Sequence, residues 1–200
     1  CTAKMDTPNM QDPRQVEQIT QVLQEACTQA RHAVELNPND HGAYAKWGEV
    51  LLELSMMKTG QEAVDTITQS IQKLEKSLEI YPDNANALVV HASALNARAF
   101  LQHDSAVAQE LFDKSKANFQ KALRLEPDNP RYKELLDAME KAPELHAQVV
   151  AQLQAQGGVP GAKTGEDGDW IYDWIGWGIL IVGGVTLIAV LNNQQAVVDQ

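Results

Sequence analysis

The chain has 200 residues and a formal net charge of −11, from 16 Lys and Arg against 27 Asp and Glu. This acidic balance disfavours nucleic acid and anionic membrane surfaces as partners, and it favours a cationic ligand. The two cysteines, Cys1 and Cys27, form no disulfide framework, and the sequence holds no Asn-x-Ser/Thr sequon. Both observations suit a domain that faces the cytosol.

The N-terminal segment 1–12 is polar and has neither an apolar run nor an Arg-rich amphipathic pattern, so we predict that it is disordered and is not a signal or transit peptide. From residue 13 onwards, apolar residues recur at intervals of three and four, without period-two alternation. This periodicity predicts an all-α domain over residues 13–156.

Three similar segments recur within this domain, and each consists of a helix end, a proline and then Asp or Asn. Their prolines are Pro38, Pro82 and Pro127, which are 44 and then 45 residues apart. Because proline ends a helix and Asp or Asn caps the next one, the repeated unit is predicted to be helix–turn–helix.

The residue types inside each unit resemble the tetratricopeptide repeat. The matching positions of the first unit are Tyr44, Trp47, Gly48, Leu51, Ser70, Leu74, Ser77 and Pro82, and those of the second are Leu88, His91, Ala92, Leu95, Ser115, Phe119, Ala122 and Pro127. The small residues among them are expected to let paired helices approach closely. A helix at Pro13–Leu36 should precede the two units, and two helices, Tyr132–Glu140 and Pro143–Gln156, should close the stack.

The period is longer than the roughly 34 residues that are usual for this repeat. About ten additional residues fall between the two helices of each unit, in Met56–Thr68 and Gln102–Leu111. Their content of Ala, Glu, Gln and Asp predicts longer helices joined by a bent connection, and not floppy loops.

The C-terminal part is predicted to consist of a polar, Gly-rich linker at 157–169, a membrane anchor at 170–191 and a short tail at 192–200. The stretch Trp174–Leu191 contains no charged residue, and as a helix it would span roughly 27 Å, close to the hydrocarbon thickness of a bilayer. A buried core helix is the alternative. The residues assigned to the anchor are Trp174, Trp177, Gly178, Gly183, Gly184 and Leu191. The glycines could pack on another transmembrane helix or face lipid.

Four short sequence segments extend the resemblance beyond a generic repeat. They are Trp47–Ser55, Lys73–Pro82, Ala99–Leu101 and Lys141–Ala147, of which the last lies outside the repeat pattern. Together with the long hairpins and the C-terminal anchor, they resemble the plant and green-algal type of the twenty-kilodalton receptor of the mitochondrial outer-membrane translocase. The resemblance implies a cytosolic receptor domain on the outer membrane, which binds N-terminal presequences and passes them to the translocase pore and its other subunits.

A presequence is a basic amphipathic helix, so its receptor needs an apolar groove with carboxylates nearby. In tetratricopeptide folds, the first helices of successive units line the groove. The inward positions are predicted to be Ala45, Glu49, Leu52, Glu53, Val89, Ser93, Asn96 and Ala97. The glutamates could instead be an exposed helix face, Leu52 and Val89 could be core, and His91 is expected to be a packing residue.

Two other binding functions remain open at this stage. One is a tail-anchored adaptor for organelle fission, which would have ordinary hairpin lengths and a basic C-terminal tip. The other is a chaperone-docking adaptor, which needs Lys and Arg in its groove. No phosphate-binding loop, nucleophile grouping or metal-ligand spacing occurs in the sequence, so we predict that the protein is not an enzyme and has no cofactor and no metal.

Overall fold

The computed structural model describes residues 13–155, and this part of the chain forms six α-helices. The prediction of an all-α domain is confirmed for these residues. In chain order the helices are α1 (Pro13–Leu36), α2 (His41–Ser55), α3 (Gly60–Ile80), α4 (Ala85–Phe100), α5 (Ser105–Leu125) and α6 (Pro130–Ala155).

The turns that follow Pro38 and Pro82 end one helix and cap the next, as the sequence predicts. The Asp40 side chain accepts a hydrogen bond of 2.9 Å from the backbone N–H of Ala43, and Asn84 accepts one of 3.0 Å from Ala87. Each bond satisfies one of the N–H groups that have no partner in the first turn of a helix. The repeated Pro-Asx pattern is therefore the boundary between units.

Two long hairpins form the centre of the domain, because α2 packs most extensively on α3 and α4 on α5. Residues 56–59 make the first connection and residues 101–104 the second. The additional residues of each unit have joined the second helices, and α3 and α5 are 21 residues long. The prediction of longer helices with a bent connection is confirmed.

Small residues hold the helices of each hairpin close together. The Ser70 hydroxyl donates a hydrogen bond to the Gly48 carbonyl at 2.6 Å, and the Ser115 hydroxyl donates one to the Ala92 carbonyl at 2.8 Å. All four residues are buried. Large residues fill the space between the units, with Leu52, Ile67 and Leu74 at one junction and Leu88, Phe112, Phe119, Tyr132 and Met139 at the next.

The final helix differs from its prediction, because α6 runs without a break through Pro143. Proline inside a helix removes one backbone hydrogen bond and costs about 3 kcal/mol. Burial of Met139, Ala142 and His146 along the same helix offsets this cost. The prediction of two separate closing helices was therefore wrong, since tertiary packing overrides the local preference of proline.

His146 attaches the second half of α6 to the tip of the α4–α5 hairpin. Its Nε2 atom lies 3.0 Å from the Gln102 carbonyl oxygen, and its ring makes edge contacts with Phe100 and Phe112 at centroid distances of 6.0 and 5.7 Å. The residue is buried. This histidine, which belongs to the Lys141–Ala147 segment, is thus a packing residue that positions α6.

Helix α6 is the last helix of the described residues 13–155, and charged residues occupy the positions at which α2 and α4 receive their hairpin partners. In α2 these positions are Tyr44, Gly48, Leu51 and Ser55, and in α4 they are Leu88, Ala92, Leu95 and Ala99. Counted from the cap residue of each helix, the equivalent positions of α6 are Lys133, Asp137, Glu140 and Glu144, all of them exposed. Glu140 forms an ion pair of 3.1 Å with Lys116 of α5, and no described helix follows α6 as a hairpin partner.

The predicted anchor, with Trp174, Trp177, Gly178, Gly183, Gly184 and Leu191, lies outside the described residues. None of the six helices within residues 13–155 has the length and apolar character needed to cross a membrane.

Candidate ligand-binding surface on α2 and α4

The predicted groove positions divide into a buried set and a half-buried set. Ala45, Leu52, Val89, Asn96 and Ala97 are buried, whereas Glu49, Glu53 and Ser93 are half-buried. The buried residues belong largely to the junctions between units, since Leu52 and Ala97 share one apolar cluster and Val89 belongs to the next. The accessible part of the predicted set is therefore Glu49, Glu53 and Ser93.

The residues Lys46, Glu49 and Glu53, here called the α2 stripe, follow one another along a single face of α2. The Lys46 ammonium lies 2.9 Å from Oε2 of Glu49. Glu53 lies one turn further along the helix. Burial raises the pKa of its carboxyl group, the charge of Glu49 adds to this rise, and Lys46 opposes it. The stripe thus carries two carboxylates and one cation in a partly dehydrated setting.

The equivalent positions of α4, 44 residues later, are Val90, Ser93 and Ala97, here called the α4 stripe. Val90 packs against the cluster that contains Leu52 and Ala97, so the α4 stripe adjoins α2. The Ser93 hydroxyl donates its hydrogen bond to the Val89 carbonyl at 3.0 Å, within the same helix. The accessible part of the α4 stripe is therefore Val90 and Ser93, one apolar and one small polar side chain, because Ala97 is buried.

A surface with this composition can bind a ligand that has one cationic and one apolar side. The Glu53 carboxylate, whose pKa is raised by burial and by the charge of Glu49, is stabilised when a cation approaches. The half-buried Val90 of the α4 stripe can contact an apolar group of a ligand. This pattern fits a basic amphipathic helix better than an acidic or a uniformly polar peptide.

The sequence prediction missed Lys46 and Val90 in this surface. Both lie one position after a residue that was chosen, Ala45 and Val89, which the structure places in the core. The alternation of charge along α2 and the 44-residue offset between the units were the signals that could have identified them.

His91 lies outside this surface, at a junction of three helices, and is buried as predicted. Its Nδ1 atom is 2.9 Å from Nδ2 of Asn118 on α5, and its Nε2 atom is 4.0 Å from a carboxylate oxygen of Glu75 on α3. Burial lowers the pKa of His91 to about 4. Within residues 13–155 no cluster of three or more His, Cys, Asp or Glu is arranged to hold a metal ion.

Comparison with known proteins connects this fold to one family. The sequence model of a family described as plant-specific mitochondrial import receptor subunit TOM20 matches residues 16–192 of the chain. The chain belongs to this family. The match to the TOM20 family covers all six helices apart from the start of α1, and it also includes the apolar stretch Trp174–Leu191.

Named relatives from Arabidopsis thaliana agree with this assignment. The mitochondrial import receptor subunit TOM20-2 is 42% identical over 120 residues, which are 60% of this chain and 57% of that protein. TOM20-3 is 34% identical over 171 residues, which are 80% of this chain and 85% of the relative. TOM20-1 is 31% identical over 170 residues, which are 80% of this chain and 90% of the relative. The TOM20 family is thus one of protein import receptors, a transport class.

Proposed function

We propose that this chain binds the presequences of mitochondrial precursor proteins at the α2 and α4 stripes and passes them to the pore of the outer-membrane translocase. The observation that carries the proposal is the pair Glu49 and Glu53 on one face of α2, together with the half-buried apolar residue Val90 of α4, which packs against the cluster that contains Leu52. The carboxylates suit the arginine side of an amphipathic helix, and the α4 stripe suits its leucine side.

The contacts of the two glutamates support weak and reversible binding. Glu49 already has a partner in Lys46, so a ligand exchanges one ion pair for another and gains little. The half-buried Ser93 has a small side chain and offers a ligand little contact area that would favour one particular sequence. We expect a dissociation constant between about micromolar and sub-millimolar, which allows cargo to be released.

The test is an NMR titration of the full chain in detergent micelles with a synthetic peptide that has leucines on one face and arginines on the other. We expect chemical-shift changes on α2 and α4, and charge reversal by Glu49→Lys with Glu53→Lys should weaken binding, most strongly at low salt. The matched control is Glu110→Lys with Asp113→Lys, which reverses two exposed carboxylates on α5. Shifts confined to α3 and α5, or equal weakening by both double variants, would reject the proposed surface.

The membrane attachment is part of the same proposal. Residues 170–191 would cross the outer membrane once, with residues 13–156 as the receptor domain in the cytosol and 157–169 as its linker. The apolar character of Trp174–Leu191 supports this arrangement, as does the family match that extends to residue 192. Protease treatment of intact mitochondria that carry the tagged chain should release the receptor domain. A chain without residues 170–200 should no longer stay with the membrane after alkaline extraction.

The chaperone-docking alternative fits this surface poorly. It needs a groove of Lys and Arg to bind acidic chain ends. Of the six residues in the two stripes, Lys46 is the single cation, and Glu49 and Glu53 outnumber it.

A further inference from the structure

Lys46 places a positive charge inside the acidic part of the proposed binding surface. Its Nζ atom lies 2.9 Å from Oε2 of Glu49, and its side chain is 46% exposed while that of Glu49 is 17% exposed. Burial raises the pKa of Glu53, the charge of Glu49 adds to the rise, and Lys46 lowers it. The ammonium group thus interacts with both carboxylates. A cationic side chain of a ligand would have to occupy the same position.

The fold itself does not require a lysine at this position. The equivalent residue of the second unit is Val90, and α4 forms the same kind of helix and packs into the same kind of hairpin. The ion pair of Lys46 and Glu49 is exposed on the lysine side, and such pairs contribute little to stability. The positive charge of Lys46 is therefore not needed for the fold and is available for a role in ligand binding.

We propose that Lys46 is a built-in competitor, which occupies the acidic site in the free receptor and must be displaced by an arginine of the incoming peptide. This inference rests on the proposed function and deepens it. The guanidinium group of arginine can bind a carboxylate through two parallel hydrogen bonds, whereas the lysine ammonium binds as a point charge. An arginine ligand therefore displaces Lys46 more effectively than a lysine ligand does. The competition should weaken binding of every cationic peptide and so assist the release of cargo, while the preference for arginine comes from its own geometry.

A second ion pair of the domain provides a matched control. Lys76 and Glu79 of α3 are also three residues apart, their charged atoms are 2.8 Å apart, and the Lys76 side chain is 48% exposed. Replacing either lysine with glutamine changes the net charge by the same amount and breaks the same type of pair. Lys46→Gln alters the proposed surface, whereas Lys76→Gln leaves it intact.

The experiment measures binding of the full chain in detergent micelles to two synthetic amphipathic peptides, which share a leucine face and differ in carrying arginine or lysine. Lys46→Gln should tighten binding of the arginine peptide by about two- to fivefold, the range expected for one exposed ion pair. It should tighten binding of the lysine peptide by a similar factor, because a competitor within the receptor weakens every ligand of the same site equally. Lys46→Arg should not tighten binding of either peptide, and Lys76→Gln should have a smaller effect than Lys46→Gln.

The outcomes separate this inference from the function on which it rests. If Glu49→Lys with Glu53→Lys weakens binding but Lys46→Gln leaves it unchanged or weaker, the competitor role is wrong and the receptor surface stands. Equal tightening by Lys46→Gln and Lys76→Gln would also overturn the inference, since only net charge would then matter. If neither peptide binds the unmodified chain, both the proposed function and the inference fail.

Discussion

The hydroxyl group of Ser70 donates a hydrogen bond of 2.6 Å to the backbone carbonyl of Gly48, across the interface of α3 and α2. The second unit repeats this bond between Ser115 and Ala92 at 2.8 Å. Each bond needs a serine on one helix and a very small residue on the other, because a larger side chain would separate the two backbones. In each hairpin, the serine of one helix and the small residue of the other together determine the distance between the two helices.

Removal of either hydroxyl should destabilise the domain by a similar amount. Ser70→Ala and Ser115→Ala each lose one buried hydrogen bond, for which we expect a loss of about 1 kcal/mol in the free energy of unfolding. Urea denaturation followed by circular dichroism measures this loss. Ser105→Ala, at an exposed position of α5, is the control and should change stability by less. A loss for only one of the two buried serines would contradict the equivalence of the units.

Enlargement of Gly48 should also destabilise the first hairpin. An added Cβ would overlap Cγ of Leu74 and lie 3.1 Å from both of its Cδ atoms, and Leu74 is fully buried. We expect Gly48→Ala to cost about 1–3 kcal/mol, even though alanine favours a helix more than glycine does. In a Leu74→Ala background the same substitution should cost less, because the overlap is gone. A thermal denaturation series of the two single variants and the double variant gives this coupling, and strict additivity would contradict it.

Mild acid should destabilise the domain through His91. Its pKa is about 4 in the folded domain, because burial favours the neutral ring, and a histidine of an unfolded chain titrates near about 6.5. Between these values the unfolded chain binds more protons, so stability falls as the pH drops from about 6.5 to about 4. Over this window the groups that face the ring are Glu75 of α3 and Asn118 of α5.

The expected loss is about 2 kcal/mol between pH 7 and pH 5. Urea denaturation at the two pH values measures it in the native sequence and in His91→Gln, where most of the difference should disappear. His103→Gln, at an exposed position, is the matched control and should retain the dependence. An unchanged loss in His91→Gln would assign the pH sensitivity to other groups.

Replacement of the proline inside α6 should increase the stability of the domain, in contrast to the substitutions above. Pro143→Ala restores a donor for the helical hydrogen bond and removes the clash of the ring with the preceding turn. We expect an increase of about 1–3 kcal/mol in the free energy of unfolding, measured by urea denaturation. Slower amide hydrogen exchange in the turn before residue 143 should accompany it. A loss of stability would mean that packing of the half-buried proline ring outweighs the missing bond.

The helices and hairpins could be predicted from the sequence because their signals are local or strictly repeated. The prolines and Asx caps at Pro38 and Pro82, and the small residues Gly48 and Ser70, have the same role wherever this unit occurs. The break at Pro143 was predicted wrongly because burial of Met139 and His146 against other helices decides the outcome. No local pattern reports contacts with elements that are distant in sequence.

Which of the proposed groove positions are buried was harder to predict, for a geometrical reason. Successive residues of a helix point about 100° apart, so an error of one position turns an open surface into a buried junction. Ala45 and Val89 are buried, while their neighbours Lys46 and Val90 belong to the two stripes. The role of Lys46 also depends on its distance to Glu49, which the sequence alone does not contain.

The two ends of the stack have consequences for how copies of the chain meet. Within residues 13–155, α1 precedes the first hairpin and exposes Val22 at 64%, and α6 follows the second hairpin. The α1 helix of one copy could complete a hairpin with α6 of the next, and such head-to-tail contacts do not close, so they would build a filament. Asp137 stands where Gly48 and Ala92 admit a helix, and Lys133, Glu140 and Glu144 surround it. These charged side chains would lose hydration if another helix packed on them, so they disfavour such a contact between copies.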